Sequence, residues 1–397
     1  MGKYNFDRVV NRYNKESHKY DVDESVLPMW VADMDFECFP GITEAIRKRT
    51  ETPCYGYTEV PREFFSAYVN HWKRHYGIKF TEEECVFSTG VVSSIDSILK
   101  HLVKPNSKIV LQTPVYHTFF SCIRNNGHEA LENQLVYENE KYHIDFSNLE
   151  KCLKQPGVGA MIFCNPHNPT GYLFSKEEVN EIARLCFDNK ILLISDEIHA
   201  EIRDPGYNYC SCLEADEKYL DNVIALLSGG KCFNIAGIHS SIAVIKNKAL
   251  RNEFQDAVYH DDVGEPDYFA CDANIAAFND GDEWLKEMNE YIYKNKQYVV
   301  KFFKYLGINV VCGHATYLLW IDLRKYTDDS EGFCNRLKAE GGLWLTHGKD
   351  FLGDGKYFVR MNVATSFDNV VEGCNRLKAF LDKNRLKPIF LYINRVL

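Results

Sequence analysis

The stretch Val223-Ile-Ala-Leu-Leu-Ser-Gly-Gly-Lys-Cys-Phe-Asn234 joins a short apolar run to a lysine that follows two glycines. The run Val223–Leu227 is continuously apolar, which is typical of a strand covered on both faces. Lys231 comes just after this strand, where a buried ammonium group is costly unless it reacts or is paired. The ordinary alternative is a lysine that extends its head to solvent from a strand end.

Similar apolar runs alternate with helical spacing through the middle of the chain. They lie at residues 85–88, 108–112, 160–164, 191–195 and 241–245. Helices are predicted between them at 90–103 and 175–188, and Ser175 with Glu178 forms a capping box for the second. The alternation predicts an α/β fold whose large domain holds a mostly parallel sheet.

The pattern changes near residue 282, where a long amphipathic helix begins and continues to Gly307. Strands at 316–323 and 356–363, with helices at 330–340 and 367–384, predict a smaller α+β C-terminal domain. We therefore expect an N-terminal segment, 1–45, packed on the small domain. The large domain would span 46–284 and the small domain 285–397. The apolar tail 386–397 is assigned to no element.

Composition excludes several function classes. The formal net charge of −10 is spread along the chain, and no Lys/Arg-rich stretch offers a footprint for nucleic acid. The most basic aromatic stretch, His71-Trp-Lys-Arg-His75, is interpreted as a solvated helix face. No run reaches the ~20 apolar residues of a membrane span, and the N-terminus shows no signal-peptide core. The 14 scattered cysteines form no C-x-x-C pair. A cytoplasmic protein with reduced thiols is expected.

Three segments together fit an aldehyde-bearing pyridine cofactor. Lys231 would attack the aldehyde if burial keeps its amine neutral. Asp196 follows the predicted strand 191–195, at the sheet edge where open α/β folds bind ligands, and would hold the ring nitrogen protonated. Asn168, in Asn165-Pro-His-Asn-Pro-Thr-Gly171, could donate to a phenolate oxygen. A helix cap for Asp196 and a turn role for Asn168 are the alternatives.

The remaining candidates would hold a phosphate and a planar ring. Gly90, Val91 and Val92 open a predicted helix directly after a strand, where free N–H groups favour a phosphate, and Ser228 could add a hydroxyl. Tyr116 follows another strand end and could stack on the ring. A nucleotide-binding loop around Lys231 is disfavoured, because alanine occupies position 225 and cysteine position 232.

Arg360 lies within the otherwise apolar strand Phe358-Val-Arg-Met-Asn362. A guanidinium there would match a substrate carboxylate in a bidentate pair, or would form an internal salt bridge. Glu197 and His199 near Asp196 raise the question of a metal. No second histidine stands at ligand spacing there, so no metal site is predicted.

These motifs resemble the pyridoxal-phosphate-dependent fold type I enzymes of the aminotransferase class I/II family. The resemblance is carried by Ser228-x-x-Lys231-x-Phe-Asn-Ile-Ala-Gly237, by Asn165 to Gly171 and by Asp196-Glu-Ile-His199. The stretches Leu27-Pro-Met-Trp-Val-Ala-Asp-Met-Asp-Phe36 and Tyr55-Gly-Tyr57 are similar to the cystathionine β-lyase, or cysteine-S-conjugate β-lyase, branch. The similarity extends from about residue 5 to residue 384.

The resemblance implies a role for each candidate. Lys231 would bind pyridoxal 5'-phosphate covalently and move the Cα proton, Asp196 would pair with the pyridine nitrogen, and Tyr116 would stack on the ring. Asn168 and His199 would contact the phenolate oxygen. The cofactor phosphate would be bound by Ser228, Gly90, Val91 and Val92. The substrate carboxylate would be bound by Arg360 and Asn168, with the backbone near Ala32. Such enzymes are homodimers, and Tyr57 would reach in from the partner subunit.

The sequence therefore predicts a carbon–sulfur β-lyase that cleaves L-cystathionine or a related L-cysteine S-conjugate to a thiol, pyruvate and ammonia. The alternative enzyme is an aminotransferase that passes the amino group of an L-amino acid to a 2-oxo acid, because both reactions share their early steps on one fold. A cofactor-binding regulatory module usually carries a DNA-binding domain, which the acidic net charge disfavours.

Overall fold

The computed structural model describes residues 2–384. Within them the helices α1 to α11 are Pro40–Arg49, Arg62–Tyr76, Val91–His101, Thr118–Asn125, Phe146–Leu153, Lys176–Asp188, Lys248–His260, Ala270–Asp280, Asp282–Tyr305, Ser330–Gly341 and Phe367–Lys383. The strands β1 to β15 are Leu27–Pro28, Cys85–Ser88, Lys108–Leu111, Glu129–Glu132, Val136–Glu138, Lys141–His143, Val158–Cys164, Leu192–Asp196, Val223–Leu227, Ser241–Val244, Asn309–Val311, Leu318–Asp322, Leu343–Trp344, Thr346–His347 and Phe358–Asn362. The apolar tail 386–397 lies outside the described residues.

The large sheet has seven strands in the order β2-β10-β9-β8-β7-β3-β4. Every neighbouring pair is parallel except those made by β10, which runs antiparallel to both β2 and β9. Every residue of β9 is buried, as its unbroken apolar sequence predicts. The predicted α/β class with a mostly parallel sheet is confirmed.

Local sequence signals explain the ends of several helices. Ser175 and Glu178 form the predicted capping box at the start of α6, with both reciprocal hydrogen bonds present. The 24-residue α9 buries one apolar stripe, and Gly307 follows it with a φ of 71°.

A second, antiparallel sheet has the order β11-β12-β15-β14. β1, from the N-terminal segment, pairs in parallel with β13, so the first residues of the chain contact the C-terminal part. Asn362 Nδ2 donates to the carbonyl oxygens of Val31 and Asp33, which fixes the N-terminal segment beside β15.

One sequence interpretation is wrong in part. The stretch 71–75 lies on α2, but His71 and Trp72 are fully buried rather than solvated. The Trp72 ring packs 5.4 Å from that of Phe278 at the end of α8, because α2 turns its apolar face inward. Lys73 and Arg74 occupy the exposed face. No helix among residues 2–384 is both long and apolar enough to cross a bilayer.

Candidate active site

A cavity of about 480 Å³ opens at the carboxyl edge of the large sheet. The loops that follow β2, β3, β7, β8 and β9 all contribute to its wall, as expected where parallel strands end. The N-terminal segment adds Trp30 to Ala32, and β15 of the smaller sheet adds Arg360. The site therefore lies between the two sheets and the N-terminal segment.

Lys231 lines this cavity and turns inward instead of extending to solvent. Its Nζ donates a 2.6 Å hydrogen bond to the Ala32 carbonyl oxygen, across 199 residues of chain. Burial in the cavity lowers the pKa of Lys231 to about 8, while the Asp33 and Asp196 carboxylates oppose this shift. The amine is thus easier to deprotonate than an ordinary lysine, which a nucleophilic role requires.

Asp196 is the last residue of β8 and is buried. Its Oδ1 accepts a 3.1 Å hydrogen bond from the Ile198 N–H and so closes a local turn; no helix begins there, so the helix cap that the sequence leaves open is not formed. Burial raises the pKa of Asp196 to about 6. It forms no salt bridge with the described residues, although the nearby charge of Lys231 partly opposes this rise in the pKa.

His199 lies on the same loop and is also buried. Burial lowers its pKa to about 3, and the charges of Lys231 and Arg360 act in the same direction. Its imidazole is therefore neutral at physiological pH. Nδ1 has no hydrogen-bond partner among residues 2–384, so it remains available to a ligand.

Asn168 and Tyr116 lie on the cavity wall after β7 and β3. The Oδ1 of Asn168 accepts a 3.1 Å hydrogen bond from Arg360 Nη1, which leaves its amide NH₂ to donate elsewhere. Tyr116 packs edge-on against Phe119, with ring centroids 5.5 Å apart. That contact fixes the ring directly before α4.

The phosphate candidates lie together on the cavity wall. Gly90 is the N-cap of α3, and Val91 and Val92 are its first two residues, so their N–H groups have no intrahelical partner. Ser228 is buried and its hydroxyl is already engaged. It donates to the Ser240 carbonyl oxygen at 2.7 Å and accepts from the Gly230 N–H at 3.0 Å.

Arg360 is buried in β15 and has no salt bridge to a carboxylate within the described part of the chain. Besides its bond to Asn168, Nη2 donates to the Trp30 carbonyl oxygen at 3.1 Å and to Thr346 Oγ1 at 3.4 Å. Burial lowers the pKa of Arg360 to about 10. The sequence left an internal salt bridge open, and the structure disfavours it. A buried cation without a counter-ion is suited to an anionic ligand.

One predicted site residue, Tyr57, does not line this cavity, and other residues that do line it were not predicted. Tyr57 is fully exposed in an extended segment and does not line the site. His117, beside Tyr116, lines the cavity, and its Nδ1 has no hydrogen-bond partner in the part of the chain that the structure describes; Trp30 and Thr346 also lie on the cavity wall. His117 follows the candidate Tyr116, and Trp30 lies in the motif that contains Ala32, so adjacency could have identified these two; Thr346 neighbours no candidate, and no sequence signal indicates it.

The chain is similar to known proteins over most of its length. Residues 24–377 match the family model of aminotransferase class I and II. The cystathionine beta-lyase PatB of Bacillus subtilis (strain 168) is 31% identical over 385 residues, which cover 95% of this chain and all of that protein. Cystalysin from Treponema denticola, whose structure contains pyridoxal 5'-phosphate, superimposes with a TM-score of 0.92 at 29% identity, covering 96% of this chain and 99% of that one. The PLP-bound C-S lyase from Staphylococcus hominis gives 0.90 at 29%, covering 95% and 97%.

Proposed function

The chain belongs to the aminotransferase class I and II family, and from this premise we propose that it is a pyridoxal-5'-phosphate-dependent carbon–sulfur β-lyase. Its substrate is L-cystathionine or a related S-conjugate of L-cysteine, which it cleaves to a thiol, pyruvate and ammonia. One observation carries the proposal: the guanidinium of Arg360, which has no carboxylate partner among residues 2–384, shares a cavity with Lys231 and Asp196. The similarity to a cystathionine beta-lyase and to a C-S lyase supports elimination over amino transfer.

The residues of the cavity fit the cofactor. Within residues 2–384, the buried Asp196 carboxylate has no salt-bridge partner, as a pyridinium nitrogen needs, and Nδ1 of the neutral His199 has no hydrogen-bond partner. Pyridoxal 5'-phosphate, when bound, supplies an aldehyde for amines and a ring that withdraws electrons from Cα. Asp196 would keep that ring cationic, Asn168 and His199 would hold its phenolate oxygen, and Tyr116 would stack on it.

Phosphate binding relies on the start of α3. The N–H groups of Val91 and Val92, preceded by Gly90, lie at the positive end of the helix dipole. Ser228 supplies a hydroxyl once its proton turns away from the Ser240 carbonyl oxygen. Backbone donors thus provide most of this subsite.

The substrate carboxylate binds Arg360. The guanidinium fork pairs with both carboxylate oxygens, while Asn168 and the backbone at Ala32 complete the subsite. Because Asn168 and Trp30 already hold the two terminal nitrogens in place, the guanidinium is preorganised and loses little freedom when the ligand arrives. This fixed carboxylate orients the bonds at Cα.

Lys231 acts as the base at Cα. Its lowered pKa favours the neutral amine, whose Nζ takes the Cα proton, with Tyr116 beside it in the cavity. The Cβ–S bond then breaks and the sulfur leaves as a thiolate. Water hydrolyses the remaining three-carbon fragment to pyruvate and ammonia.

We also propose a homodimer in which Tyr57 of one subunit completes the site of its partner. The full exposure of Tyr57, and 62% exposure of Tyr55, support a segment that is covered by another chain. A cytoplasmic location is proposed as well, because all 14 cysteines are free thiols.

The purified enzyme tests the function directly. With L-cystathionine, thiol and pyruvate are expected in equal amounts, whether or not a 2-oxo acid is added. The Lys231→Ala variant is expected to release neither product. Amino transfer that depends on the oxo acid, without thiol release, would show that the enzyme is an aminotransferase instead.

A further inference from the structure

Two histidines and an aspartate meet where α2 contacts the start of α9, away from the substrate cavity. His71 and His75 lie one turn apart on α2, and Asp282 is the first residue of α9. One ligand atom from each of the three lies within 4.8 Å of the other two. His75 Nε2 is 2.9 Å from Asp282 Oδ1, and His71 Nδ1 is 3.6 Å from the same oxygen.

His71 is the unusual member of this cluster. Its side chain is fully buried and its Nε2 lies 3.0 Å from Glu201 Oε1, but its Nδ1 has no hydrogen-bond partner within residues 2–384. Buried imidazole nitrogens normally have partners, so an unpartnered Nδ1 directed at a carboxylate and a second imidazole indicates a ligand. The two imidazole ring centroids are 4.3 Å apart.

We propose that His71 Nδ1, His75 Nε2 and Asp282 Oδ1 bind a divalent cation of the zinc class. Zinc holds such ligands at about 2.0–2.2 Å in a tetrahedron, which places neighbouring ligand atoms about 3.3 Å apart. The observed separations of 2.9 and 3.6 Å lie on either side of this value. Two imidazoles and one carboxylate favour zinc over magnesium or calcium, which prefer oxygen ligands.

The surroundings provide a second coordination shell. His71 Nε2 lies 3.0 Å from Oε1 of the buried Glu201, on the side of the ring opposite Nδ1. Metal-binding histidines commonly donate their second N–H to a carboxylate, which fixes the tautomer and orients the ring. Glu201 is held in turn by a 2.8 Å hydrogen bond from the Tyr76 hydroxyl.

Arg74 is the competing cation at this site. Its Nε donates to Asp282 Oδ2 at 3.0 Å, and its Nη2 donates both to Oδ1 at 3.1 Å and to the Phe278 carbonyl oxygen at 3.0 Å. A metal on Oδ1 leaves Arg74 with Oδ2 and the Phe278 carbonyl. The guanidinium therefore orients the carboxylate and lowers the affinity for the cation without blocking it.

A water molecule would be the fourth ligand. His75 and Asp282 line a separate cavity of about 640 Å³, which shares no lining residue with the substrate cavity. Its other lining carboxylates, Glu201, Asp204, Glu283 and Glu290, outnumber the cations Arg203 and Lys286. The bound metal ties α2 to α9, so its effect is on stability.

Calorimetric titration of the chelator-treated holoenzyme with ZnCl₂ tests the proposal. One high-affinity zinc per chain is expected, together with a zinc-dependent rise in Tm. His75→Gln and Asp282→Asn, at partly exposed positions whose replacement spares the core, should each weaken binding about 100-fold or more. Glu201→Gln should weaken it about 10-fold through the second shell.

His101→Gln is the matched control, because His101 Nε2 also lies 2.9 Å from an aspartate, Asp261, without a third ligand in the described part of the chain. It should bind zinc as the wild type does. Cobalt substitution should give visible absorption of a tetrahedral nitrogen–oxygen site that His75→Gln abolishes. The proposal is overturned if the wild type binds no zinc tightly, if His75→Gln and Asp282→Asn retain its affinity, or if the cobalt spectrum shows thiolate ligands.

Discussion

Replacing Arg360 with lysine tests how the substrate carboxylate is recognised. Lysine keeps the positive charge but removes the planar fork that donates to Asn168, to the Trp30 carbonyl and to the substrate. One charge-assisted hydrogen bond is worth about 1.5–3 kcal/mol. The kcat/KM for L-cystathionine should therefore fall about 10- to 150-fold.

A spectroscopic binding assay separates recognition from structural damage. Titration of the holoenzyme with an L-amino acid and with the matching amine, which lacks the carboxylate, gives two affinities. Arg360→Lys should weaken binding of the amino acid and leave binding of the amine nearly unchanged. Arg324→Lys is the control, since Arg324 pairs with Asp322 at 2.8 Å outside the cavity. Equal weakening of both ligands by Arg360→Lys would refute the assignment.

Three further outcomes are expected. The pKa of Lys231 is lowered to about 8, so the rate at which apoenzyme takes up cofactor should rise about tenfold per pH unit below pH 8 and level off above it. Stopped-flow absorbance measures this rate. A rate independent of pH would contradict a reactive neutral amine. Asp196→Asn removes a buried charge worth about 3–5 kcal/mol, so pyruvate formation should slow by about 100-fold or more, and near-normal turnover would exclude its role. Gly171→Ala should lower the free energy of unfolding by about 2–4 kcal/mol in urea titration, because φ is +67° and the added Cβ would lie 2.6 Å from the Ala315 carbonyl oxygen. Gly77→Ala, with φ of +71° and open space, should cost about 1 kcal/mol.

The sequence predicted the large sheet because buried strands carry their own signal. Strands such as Val223–Leu227 are apolar throughout, so their positions could be read directly. The direction of each strand could not be read: Ser241–Val244 runs antiparallel to its neighbours although it is also a short, fully buried run. The edge strand Glu129–Glu132 was missed, because its exposed glutamates conceal it.

The candidate site was predictable where residues follow strands, and less so where distant segments meet. Asp196 and Lys231 could be placed at one sheet edge because parallel strands end together, and the family comparison confirms the resemblance that the motifs indicated. Arg360 donates to the Trp30 carbonyl oxygen of the N-terminal segment rather than to a carboxylate, and no local sequence pattern predicts this long-range contact. The contact between His71 and Asp282 is hidden for the same reason. The sequence raised the question of a metal only beside His199, where none was predicted because no second histidine stands at ligand spacing.

Borohydride trapping followed by peptide mass spectrometry tests the central claim most directly. Reduction of the holoenzyme makes the bond between the lysine amine and the cofactor aldehyde permanent, so the modified peptide identifies the lysine. We predict a single pyridoxyl adduct on Lys231, absent from Lys231→Ala. An adduct on another lysine, or none in a protein that still forms pyruvate, would contradict the account.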